Sequence, residues 1–124
     1  MAKLGDVLKF DSNKVAGSQS KPKYHIAIDL NAGYLLFINS DPYEGAFAID
    51  RSDWPEMPKK ESFISFSTLI RYSREDLKDS MPAEPCGTLS DACIEKIREH
   101  ALESMVLEQW AINLIVASID NSKK

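Results

Sequence analysis

The stretch Ser20 to Asp29, reading SKPKYHIAID, sets two lysines and a histidine at the start of an alternating segment. Histidine exchanges protons near neutral pH. Lysine carries a fixed positive charge that holds an anion or steadies a developing negative charge. In a strand, period two places Lys23 and His25 on one face and Tyr24, Ile26 and Ile28 on the other. His25 and Lys23 are therefore candidates for catalysis, by proton transfer and charge stabilisation. Lys21 and Lys23 are candidates for binding a polyanion. The plainer reading is a proline-shaped strand start with solvated lysines and a histidine hydrogen-bonded to its neighbours.

The charge distribution favours no general affinity for anions. The chain of 124 residues has a net charge of -4. Residues 1–24, however, hold five lysines against two aspartates, and the remainder is acidic. A locally basic arm on an acidic body binds a polyanion at one place only. Other chemistries find little footing. There is no Gly-rich nucleotide loop, so no cofactor is expected. His25 and His100 are far apart in sequence, with no HxxxH or HExxH spacing, so no metal site is expected. His100 is expected on the polar side of a helix. Cys86 and Cys93 match no zinc or redox spacing and read as small buried or half-buried thiols.

The elements that must position these residues follow from pattern. Gly5 to Phe10 (GDVLKF) reads as an opening strand, and Asp11 to Ser20 as a loop that is mobile until a ligand orders it. Pro22 keeps Lys21 extended. Lys23 to Leu30 alternates as a half-buried strand, Asn31 to Gly33 turns, and Tyr34 to Ser40 is a near-continuous apolar run that suits a central strand. Ala46 to Asp50 reads as a brief strand, and RSDWPEMPKK (Arg51 to Lys60), with its two prolines, as an exposed excursion. Ser62 to Phe66 alternates again, and REDLKDSM makes a helical turn. Two helices close the chain. The first is N-capped by Ser90 and has Ile94, Ile97, Ala101 and Leu102 as its apolar stripe. The second puts Leu107, Trp110, Ala111, Leu114, Ile115 and Ser118 on one face, read as core or dimer contact. Strands followed by helices predict one α+β domain over residues 1–124, a small, strongly bent antiparallel barrel capped by helices. Val106, Ile112 and Val116 lie off the main stripe of the last helix, which predicts a homodimer. No apolar run is long enough for a membrane span and no signal-peptide core is evident, so a cytoplasmic location is expected.

The order of the pieces resembles the PemK/MazF-like growth inhibitors. The matching pieces are the opening GDVLKF, the Gly/Ser loop, KPK before an apolar strand, Asn39-Ser40 at the end of the third strand, and CGTLSDACIEKI at the start of a helix. The resemblance runs from about Gly5 to Ile119. It implies an SH3-like barrel, usually dimeric, and a toxin of a toxin–antitoxin pair. Such a toxin cleaves single-stranded RNA without a metal, and an antitoxin protein segment covers its groove. It carries the RNA site onto Lys21 or Lys23 and onto Ser40. Two departures stand out. Lysine replaces the usual arginine before the proline, keeping the charge but losing the fork. Ser65 and Ser67 stand where active members tend to have a basic and an acidic residue, which leaves Arg71 to supply the missing charge and contact RNA. Cleavage through a 2′-hydroxyl would then rest on His25 for proton transfer and Lys23 for the phosphorane. The alternative is the same barrel, catalytically silent, binding nucleic acid or a protein partner. A topoisomerase-blocking relative of the same fold is a more distant option.

Overall fold

The computed structural model describes residues 2–12, 21–42, 45–67, 69–80 and 84–123. Over these residues the chain is α+β. The strands are β1 (Val7–Ser12), β2 (Lys21–Asp29), β3 (Tyr34–Asn39), β4 (Phe47–Ile49), β5 (Ser62–Ile64) and β6 (Ile70–Arg71). The helices are α1 (Arg74–Ser80), α2 (Asp91–Glu103) and α3 (Gln109–Ser122). The strands form one antiparallel sheet in the order β1-β2-β3-β5-β4, and β6 pairs with the first half of β3. β1 runs two residues beyond the expected Phe10, because Asp11 and Ser12 pair with Pro22 and Lys21. Most of the expected mobile loop lies outside the described residues.

The sheet is open rather than a closed barrel. The outer side of β1, which closure would need, is already occupied at its start. Val7 N–H donates to Gly87 O (2.9 Å), Cys86 N–H to Val7 O (2.6 Å) and Leu89 N–H to Gly5 O (2.9 Å). Asp6 fixes this junction, accepting from Thr88 Oγ1 at 2.7 Å and from Lys3 N at 2.8 Å. The Gly-Asp and Gly-Thr-Leu-Ser motifs, distant in sequence, thus meet in space.

Both faces of the sheet are covered. The larger core joins Val7, Ile26, Ile28, Leu36, Ile38 and Ile64 to Ile97, Ala101, Ala111, Ile115 and Ile119 of α2 and α3. A smaller cluster on the other face contains Leu8, Phe10, Ala27, Leu35, Phe37, Ile70, Tyr72 and Leu77. The unbroken apolar run of β3 reflects this two-sided burial. The excursion after β4 also departs from expectation. Its Trp54 and Met57 are 1% and 2% exposed. Trp54 folds back under the sheet, donating its indole N–H to Cys86 O at 3.0 Å and meeting Tyr24 edge-on.

Ser90 caps α2 as expected, accepting from Cys93 N at 3.1 Å. The buried line of α2 is Cys93, Ile97 and Ala101, with Leu102 exposed. In α3 the buried line is Ala111, Ile112, Ile115 and Ile119, rotated from the expected stripe so that Trp110 lies half in solvent. Arg98 ties the helices together through both carboxylate oxygens of Asp120, at 2.8 and 3.2 Å.

Candidate functional site

Alternation along β2 puts Lys23 and His25 on the same face, and pairing with β3 decides what each meets. Tyr24 opposite Ile38 sets Lys23 beside Asn39, and His25 lies opposite Phe37. Lys23 Nζ donates to Asn39 Oδ1 at 3.0 Å and lies 5.6 Å from the Phe37 ring centroid. One residue on, Ser40 Oγ accepts from Lys59 Nζ at 2.8 Å. Asn39 pairs in turn with Phe63 of β5, which is half-buried, on the side of the strand opposite the core residue Ile64. The end of β3 therefore gathers two ammonium groups, an amide, a hydroxyl and a half-buried aromatic ring. Lys60 is exposed nearby in sequence, as are the acidic Asp41 and Glu61, so the patch is mixed rather than uniformly basic. The backbone of Lys21 begins β2, but its side chain lies outside the described residues.

His25 is placed differently from a surface acid or base. It is fully buried, with its ring stacked on Phe10 at 4.0 Å and 6° and tilted against Phe37. Nδ1 lies 3.0 Å from Lys23 O and Nε2 3.1 Å from Tyr72 Oη. A carbonyl only accepts, so Nδ1 carries the hydrogen and Nε2 accepts from the Tyr72 hydroxyl. Burial lowers the imidazole pKa to about 4. At neutral pH the ring is uncharged, enclosed and satisfied at both nitrogens. The expected proton-transfer role thus falls on a group that an RNA strand on the surface does not touch.

No family model, curated protein or solved structure matches this chain.

Arg71 stands apart from the lysines. It pairs with Tyr34 at the start of β3, five residues from Asn39, and its Nε donates to Ala32 O at 3.3 Å. At strand rise this is roughly 17 Å from the Lys23 end. Ser65 and Ser67 bond each other at 3.0 Å, and Ser65 is buried. His100, expected on a polar helix face, instead packs on Phe66 and Phe47 with Nε2 donating to Gly45 O at 2.7 Å. Both cysteines are free, and burial pushes the Cys93 thiol up to about 12, far from a reactive thiolate. Among the described residues no group of three or more His, Cys, Asp or Glu is placed to hold a metal, and no helix is long and apolar enough to cross a membrane.

Lys59 and Phe63 are the site members that sequence reasoning passed over. The signal for Phe63 was present, since SFISF turns Phe63 away from the face that buries Ile64. Lys59 belonged to a segment read only as exposed.

Proposed function

We propose that the protein is a binding module for single-stranded RNA, and that the strand docks across Lys23, Asn39, Ser40, Lys59 and Phe63. The observation that carries this reading is the convergence of Lys23 and Lys59 on Asn39 and Ser40 at the end of β3, with the half-buried Phe63 ring on the strand paired to Asn39. Positive groups track the phosphates, and an aromatic face stacks a base without regard to its identity. The amide and hydroxyl add donors and acceptors for base edges or a 2′-hydroxyl. Binding is favoured over cleavage because the one histidine on this face is sealed from solvent and neutral. Kinship with PemK/MazF-like inhibitors, an antitoxin partner and a two-fold dimer belong to the same reading. Its support is the order of motifs and an exposed apolar group, Leu102, Met105, Val106 and Trp110.

Fluorescence anisotropy with a labelled oligoribonucleotide tests it. Two phosphate contacts give a slope of log K against log salt of about -1.4. Lys23→Ala and Lys59→Ala should each flatten that slope by about 0.7. Phe63→Ala should weaken binding by roughly 1–3 kcal/mol with the slope retained. Affinity and slope unchanged in the Lys23→Ala/Lys59→Ala double variant would remove this surface from consideration.

A further inference from the structure

At the opposite end of β3, the turn after β2, the β6–α1 junction and one face of α1 enclose an open cleft of about 550 Å³. This falls within the roughly 300–1,000 Å³ typical of small-molecule sites. Three cationic residues, Arg71, Arg74 and Lys78, line it, and no acidic residue does among the described residues. That is a marked local excess in a chain of net charge -4. Arg74 and Lys78 are four residues apart and so share one side of α1. Neither makes a hydrogen bond or ion pair among the described residues, whereas Lys96, Arg98 and Lys123 are each paired with a carboxylate. Arg71 commits Nε to Ala32 O. Leu30 and the buried Leu77 supply apolar wall, and Gly33 lets the turn approach closely.

We infer that this cleft binds the phosphate of a small phosphomonoester, its compact organic body resting on Leu30 and Leu77. Two guanidinium forks match phosphate oxygens in a bidentate way, and the lysine adds a point charge. Three positive charges around one small cavity suit a dianionic monoester better than the single charge of a backbone diester. The site is separate from the proposed RNA face, and small-anion titrations read it independently of RNA binding.

Calorimetric titration with inorganic phosphate, pyrophosphate and ribose 5-phosphate, with dimethyl phosphate as the diester control, tests the assignment. Ribose 5-phosphate should bind with Kd below about 1 mM. Dimethyl phosphate should bind at least about tenfold more weakly, in line with its lower charge. Arg74→Ala, an exposed helix position, should weaken ribose 5-phosphate by roughly 10- to 100-fold, and Arg71→Ala similarly. The fold of each variant is checked by its denaturation midpoint. Absence of binding by all three anionic probes would overturn the inference, as would equal affinity in the Arg71→Ala/Arg74→Ala double variant. An oligoribonucleotide without a terminal phosphate that displaces ribose 5-phosphate from the cleft would reassign it to the RNA backbone and overturn the monoester assignment.

Discussion

His25 stores a pH dependence that its neighbours impose. With a folded pKa of about 4 against 6.5 in the unfolded chain, the unfolded state takes up a proton between those values that the folded state refuses. Stability is therefore unaffected by this group above pH 6.5 and falls as pH drops toward 4. Once complete, the loss is roughly 3 kcal/mol. Urea denaturation from pH 7 down to pH 4 should show this acid limb, and His25→Phe should lose about one proton's worth of its slope. An identical slope in the variant would mean that other groups set the limb. Alternation correctly placed His25 beside Lys23 on one face. It did not reveal that the face was covered, because α1 and Tyr72, which close it, come from far along the chain. The nearest local signs were Leu8 and Phe10 in one neighbouring strand and Leu35 and Phe37 in the other, all in register with that face.

Among elements, the β2–β3 hairpin was the most legible, from its alternation and its Asn-Ala-Gly turn. Gly33 adopts φ of +85°, and a Cβ there would come within 2.2 Å of Tyr72 O. Gly33 O also accepts from Tyr72 N at 2.9 Å, so the turn seats the β6–α1 junction. Gly33→Ala should cost about 2–4 kcal/mol, through the left-handed backbone and the close approach together. Thermal denaturation measures it, and a change under about 0.5 kcal/mol would mean that the junction relaxes freely. The helices were legible in existence and cap but not in rotation. Cys93 and Ile119 outcompete Leu102 and Trp110 for the core because the sheet's position, which no helical period encodes, selects the face that is buried. The reach of Trp54 under the sheet was illegible for a similar reason: two prolines mark a break in regular structure, not exposure.

For the molecule as a whole, the exposed large apolar side chains among the described residues lie around the α2–α3 connection. Leu102, Met105, Val106 and Trp110 are 53%, 98%, 40% and 47% exposed. The dimer surface expected from Val106, Ile112 and Val116 is revised accordingly, since Ile112 is buried within the single chain. If this group is covered by a second copy, sedimentation velocity at micromolar concentration should show a dimer, and Met105→Glu/Val106→Glu should yield monomer. Wild-type monomer alone would rule out the dimer. The strands-then-helices order made the α+β class readable, while closure of the sheet was not, because it depended on which segment reached the outer side of β1. That segment has a consequence in time. Asp6 and Thr88 are 82 residues apart, yet their hydrogen bond and the backbone bonds around it anchor the outer side of the first strand's start. A chain growing from a ribosome pairs the start of this edge only after residues 86–89 have emerged. Until then the start of the amino-terminal strand is a bare edge, the state in which such chains seek wrong partners.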